Sequence, residues 1–127
     1  MLRERLADRL ELRPSMDQPQ NRPIDAGLSG DNLIVQAAPG LKIRVLSYVL
    51  VAAAAVVVQW QSGITGQNSF RRPLSGAMSL PANGALPSPS AGPDGWLFET
   101  DPHQDLILNL GAAQNVRGHL TFVYSPD

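Results

Sequence analysis

From Leu33 onward the apolar positions of this chain recur mostly at every second residue, in short runs separated by turn-forming residues. Alternation of that period places successive side chains on opposite faces and predicts half-buried β-strands. Leu33–Ala37 is the first run, and Pro39-Gly40 turns the chain after it. In Lys42–Val49 the polar residues fall at 42, 44 and 47, so Ile43, Val45 and Leu46 are expected to face inward. Four alanines, 52–55, interrupt the pattern and are read as a turn. Val56–Gln61 resumes it, with Val58 and Trp60 on one face and Gln59 and Gln61 on the other. These two runs are predicted to form a hairpin, stopped at Gln61-Ser62-Gly63. Further strands are predicted at Leu74–Leu80, Trp96–Phe98, Asp105–Leu110 and Val116–Tyr124. Asn83-Gly84 is a turn signal, and Gly111–Ala113 turns the chain before the last strand.

The first third of the chain has a different texture. Leu2, Leu6 and Leu10 recur at one-turn spacing, which predicts a short amphipathic helix over residues 2–13, ended by Pro14. Arg3, Arg5 and Arg9 lie off the leucine stripe. A helix of about three turns is marginal alone in water, so its leucines are expected to lie on another surface. Residues 14–32 carry Pro14, Pro19 and Pro23 among Gln, Asn, Asp, Gly and Ser, with no apolar period. They are expected to form a tether that reaches about 60 Å at roughly 3.3 Å per residue. The expected organisation is therefore an N-terminal arm, 1–32, and a β domain, 33–127.

Seven or eight short strands at regular spacing, with no crossover helices between them, predict an all-β fold. The expected architecture is a small antiparallel β-sandwich or jelly roll behind an extended arm. Gly and Pro together make 22 of 127 residues, more than an average domain carries but too few for a low-complexity chain. The run Val45–Val58 is the most apolar stretch. It holds fourteen residues, against the roughly 20 a membrane span needs, and its Val, Ile and Tyr content favours strand. No membrane partner is expected, and the run begins too far along the chain to be a secretory leader.

Ten basic and eleven acidic residues leave a net charge of −1, without the basic excess that nucleic-acid binding needs. There is no cysteine, which excludes disulfides and thiolate metal sites. His103 and His119, the two histidines, have no metal-ligand spacing. Asp101 and Asp105 flank His103, but the context is that of an ordinary loop, and no Gly-x-Ser-x-Gly elbow marks a nucleophile. The Gly92-Pro93-Asp94-Gly95 loop lacks the donors and the following helix of a phosphate cradle. Arg71-Arg72 could hold an acidic partner but reads first as a solvated pair; Trp60 and Trp96 could stack on a sugar ring, but Trp60 reads first as a core residue. The chain is accordingly expected to be no enzyme and to take no cofactor, metal or small-molecule substrate.

An ordered series of segments carries a family resemblance over about three quarters of the chain. The series runs through Asp31–Ala37, Gly40–Tyr48, Gln61–Gly63, Leu74–Leu80, Ala82–Gly84, Gly95–Thr100, Leu108–Leu110 and Gly118–Tyr124. In this series the chain resembles the small β proteins encoded among the structural genes of tailed bacteriophages. It departs from them at His103-Gln104, where the family often has Gly-Glu. The resemblance implies a virion component without catalysis: a capsid decoration (cement) protein, or a tail-associated module. On the first reading it would sit on the head surface as a dimer or trimer and bind the major capsid protein. Leu2, Leu6 and Leu10 would then form the latch face, with Arg3, Arg5 and Arg9 pairing acidic groups. The alternative is a tail-fibre or tail-tip module that binds a host surface glycan.

Overall fold

The computed structural model describes residues 18–67 and 71–126 of the chain. Ten strands run in the order β1 (Gln20–Ala26), β2 (Gly30–Val35), β3 (Leu41–Ala52), β4 (Val56–Gly63), β5 (Arg72–Pro73), β6 (Met78–Leu80), β7 (Ala85–Pro87), β8 (Phe98–Glu99), β9 (Asp105–Leu110) and β10 (Val116–Pro126). They form two antiparallel sheets of five strands. One has the order β1-β10-β3-β7, with β8 also on β3. The other has the order β2-β9-β4-β5, with β6 also on β4. The two sheets meet on their apolar faces, as an all-β sandwich.

Alternation decides which residues meet. On β10, Leu120, Phe122 and Tyr124 face inward, while His119, Thr121 and Val123 face out. On β4, Val58 and Trp60 are fully buried, and Gln59 and Gln61 lie on the other face. Trp60 is the largest fully buried side chain. Its ring centroid lies 5.3 Å from Tyr48 of the opposite sheet and 6.1 Å from Phe98, both in the tilted geometry that aromatic pairs prefer. Tyr48 closes the cluster with a hydroxyl contact to the Met78 sulfur at 3.7 Å.

The predicted hairpin is not one. β3 belongs to the first sheet and β4 to the second, so the alanines carry the chain from one sheet to the other. Each strand instead pairs with a strand far away in sequence: β3 with β10, and β4 with β9. Both strands bury one face against the opposite sheet, an arrangement that alternation alone does not distinguish from a hairpin. Leu46, expected inward, is only partly buried, because a bulge interrupts the β3–β10 register beside it, between Thr121 and Phe122.

The expected tether is also corrected over much of its length. Residues 20–26 form β1 along β10, and residues 30–35 form β2 along β9, so both belong to the sheets. The inward positions of β1 are Ile24 and Ala26, too few to reveal a period, and Pro23 is tolerated because β1 is an edge strand. The turn between them is held by Asn32. Its Oδ1 accepts from the Gly27 and Leu28 amides, and its Nδ2 donates to the Leu28 carbonyl. The helix expected over 2–13 lies outside the described residues, and with it Leu2, Leu6, Leu10, Arg3, Arg5 and Arg9.

The run Val45–Val58 lies in β3, the alanine turn and β4, and among the described residues no helix is long and apolar enough to cross a membrane. His103 adopts a φ of +62°, in the left-handed region that glycine enters without strain.

Gly118 sits where β10 crosses β3, and a β-carbon there would lie 1.9 Å from the Val49 carbonyl oxygen. Replacing it by alanine must part the two longest strands. Gly118→Ala is expected to cost at least about 3 kcal/mol in denaturant unfolding. A loss within about 0.5 kcal/mol, the range of an ordinary surface change, would contradict this packing.

Candidate interaction surface

Four connections meet at one end of the sandwich: residues 27–29, 53–55, 81–84 and 111–115. Backbone hydrogen bonds hold three of them, 53–55, 81–84 and 111–115, to one another or to the adjoining strands. The Ala53 amide donates to the Asn115 carbonyl at 2.9 Å, Asn83 to Ala52 at 2.7 Å and Gly111 to Val57 at 2.8 Å. Ala53, Ala55, Ala112 and Ala113 are exposed here, beside Leu28 (67% exposed), Val51 and Val57.

Two shallow depressions flank the alanine turn. One, of about 260 Å³, is lined by Val51, Ala52, Ala53, Asn83, Asn115 and Arg117. The other, of about 360 Å³, is lined by residues of β4, β6 and the β9–β10 turn, including Ala55, Val57, Leu80 and Ala112. Arg117 is the one charged residue in either lining, and it is paired with Asp25 at 3.7 Å. Apart from Arg117, Asn83, Asn115 and Ser79, the two linings at this end are built from glycine, alanine, valine and leucine.

The outer face of the second sheet is its chemical opposite. Arg71 grips Asp31 with two parallel hydrogen bonds, Nη1 to Oδ1 at 2.6 Å and Nη2 to Oδ2 at 2.7 Å, a bidentate pairing of high geometric specificity. Nη1 also donates to Gln61, and Nη2 to the Ile64 and Gln67 carbonyls. Gly63 makes room for this guanidinium, since a β-carbon there would come within 2.7 Å of Arg71 Nε. Asn109 Nδ2 donates to the same Asp31 carboxylate at 3.1 Å. Asp105 accepts from the Ala37 amide and from Thr65. Ile107, between Asp105 and Asn109 on this outward face, is fully buried.

A third polar group lies at the edge of β3. Glu99 accepts from Arg44 Nε at 2.8 Å and Lys42 Nζ at 3.2 Å, and the Arg44 guanidinium lies 5.1 Å from the centre of the Trp96 ring. Arg72 pairs with Asp101 at 3.1 Å and donates to the Glu99 carbonyl.

These contacts settle the residues considered from sequence. Asp101 and Asp105 are both engaged in holding loops, and His103 is an exposed turn residue. Among the described residues no group of three His, Cys, Asp or Glu side chains is placed to hold a metal. Arg71 is a partly buried clamp, where the sequence suggests a solvated pair. Trp60 is core, and Trp96 has Arg44 over its ring. Among the described residues no aromatic side chain is exposed. The apolar end has one signal in the sequence, the alanine run, which by itself indicates only a turn.

No protein-family model and no curated protein matches the chain. Among solved structures, one described as the crystal structure of PirA is similar at 12% identity, covering 87% of this chain and 95% of that one, with a TM-score of 0.27. A likeness at that score carries no argument about fold or function.

The hydrogen bonds from Arg71 hold the Asp31 carboxyl below its ordinary value, against the opposing effect of burial. At Glu99, burial pushes the carboxyl up, but Arg44 and Lys42 more than offset it, and the net shift is again downward. A carboxyl depressed in the folded state contributes stability that is fully present above its unfolded pKa, about 4, and is lost as pH falls through the folded value. Asp31→Asn is therefore expected to cost about 1.5–3 kcal/mol at neutral pH, the worth of a charged hydrogen bond. The deficit should begin to shrink as pH falls below about 4, where the carboxyl of the unfolded wild-type chain protonates, and should disappear only below the depressed folded value. Denaturant unfolding across that range checks both the size and the sign.

Proposed function

We propose that the chain is a structural protein of a tailed-phage virion, a decoration (cement) protein that binds the head lattice and works by assembly. The observation that carries the reading is the apolar, charge-poor end of the sandwich. Several charged side chains among the described residues hold loops, and the end around the alanine turn exposes mainly alanine, valine and leucine beside Asn83, Asn115 and Arg117. The winding of the sheets adds to it. The strand order β1-β10-β3-β7 facing β2-β9-β4-β5 is a jelly-roll winding, an architecture that viral capsid domains use and that lectin domains share. Fold does not imply function, so the winding only adds to what the end surface and the family resemblance suggest.

In this reading the major capsid protein is the partner, and the chain acts as a dimer or trimer on the head surface. The rigid sandwich would span a boundary between capsid subunits. Weak single contacts, repeated over a symmetric lattice, would add up to stable attachment. The glycan-binding alternative gains nothing from the described aromatic residues, because Trp60 is core and Trp96 has Arg44 over its ring.

The test is a double substitution at the alanine turn, Ala53→Asp with Ala55→Asp. Both side chains are exposed, so the melting temperature should stay within a few degrees of the parent, the span of about 1 kcal/mol for a domain of this size. Particles assembled with the variant are expected to lose most of the protein, as measured by mass spectrometry of purified virions. Undiminished incorporation of a folded variant would overturn the role of this end.

A further inference from the structure

We infer that Asn83 is a site of self-modification: its side-chain amide is lost through attack by the Gly84 backbone nitrogen, leaving aspartate or isoaspartate at position 83. The inference concerns the covalent chemistry of the chain itself and does not depend on the virion reading.

The fold requires this dipeptide where it stands. Asn83 lies at a φ of +58°, in the left-handed region that glycine enters freely and that asparagine tolerates better than most residues. Gly84 has no room for a side chain, since a β-carbon there would come within 2.5 Å of Pro81 Cγ. The turn therefore selects asparagine followed by glycine. In that pair no side chain shields the backbone nitrogen that attacks.

The reacting groups are free to meet. Asn83 is exposed, and its side chain makes no hydrogen bond among the described residues. The Gly84 amide donates to the Pro81 carbonyl at 3.1 Å, so the turn must open before the nitrogen reaches Cγ. The turn lies at the surface ahead of β7, whose three residues pair with β3 alone. A local opening there costs far less than unfolding of the sandwich. The other described asparagines lack these conditions. Asn32 is buried with both side-chain atoms engaged, Asn109 is held on Asp31, and Asn21 accepts from the Thr121 hydroxyl. Asn115 is exposed, but the residue after it is the β-branched Val116, fully buried in β10.

The step balances without an oxidant or a cofactor. Hydroxide takes the proton of the Gly84 amide, and the nitrogen forms a bond to Asn83 Cγ. The Cγ–Nδ2 bond breaks, and the nitrogen leaves as ammonia with a proton from water. Water then adds to a carbonyl carbon of the cyclic succinimide. Rupture of the new Cγ–N bond gives aspartate, and rupture of the backbone C–N bond gives isoaspartate. Either product takes the net charge of the chain from −1 to −2. The new carboxylate falls in the depression that Asn83 lines together with Arg117. Isoaspartate also lengthens the backbone by one carbon shortly before β7.

The experiment uses the full chain at mildly alkaline pH, one sample folded in buffer and one unfolded in guanidinium. Both are digested at acidic pH and analysed by mass spectrometry, with aspartate and isoaspartate peptides separated. The folded sample is held for about ten times the half-time of the unfolded one, the delay that a local opening of about 1.4 kcal/mol imposes. About half or more of Asn83 is then expected to be converted, with both products present and Asn21, Asn32, Asn109 and Asn115 intact. The inference is overturned if Asn83 is still intact at that time, or if any of those four asparagines converts before it.

Discussion

The sandwich depends on two strands that the chain supplies last. β10 lies between β1 and β3, and β9 lies between β2 and β4, so neither sheet has a centre until the C-terminal quarter of the chain is in place. Every long pairing is therefore non-local, and loop-closure entropy must be met before the ladders reward it. The requirement explains where the tightest packing lies. Gly118 lets β10 press against β3, and Leu106, Leu108 and Leu110 fill the centre of the second sheet with no measurable exposure beyond 1%. Trp60 then joins the sheets through Tyr48 and Phe98.

The polar residues serve that same requirement. Two edge segments, β1–β2 and the loop after β4, have few apolar residues of their own to bury. Each is fastened instead by one polar side chain placed on a central element or against it. Asn32 holds the β1–β2 turn and reaches Leu108 of β9, and Asp31 receives Arg71 across the face of β9. Asp105, at the start of β9, ties the loops before β3 and after β4. Such groups are costly when left unpaired, which makes them specific fasteners. It also removes them from the pool of residues available for chemistry.

Much of the fold was legible because period-two alternation is a direct record of a half-buried strand. Asp105–Leu110 appears with its expected bounds, and the two faces of β10 and β4 divide as their residues indicate. Partner choice was not legible. Nothing in Lys42–Gln61 distinguishes two strands paired with each other from two strands in opposite sheets, since the inward set is the same. β1 escaped notice because Pro14, Pro19 and Pro23 read as a tether, while an edge strand tolerates proline. The clamp role of Arg71 depends on Asp31, forty residues away, and on the room left by Gly63, neither of which is a local signal. The apolar end combines four turns distant in sequence, so only the fold brings it together.

The lattice role proposed for this chain asks many weak contacts to act together. The most direct test of that role is stoichiometry: the number of copies of this chain per purified virion, relative to the major capsid protein, by quantitative mass spectrometry. A ratio of one per capsid subunit, or a simple fraction of it, is the predicted result and places the chain on the head lattice. A handful of copies per particle, or none, would contradict a lattice role.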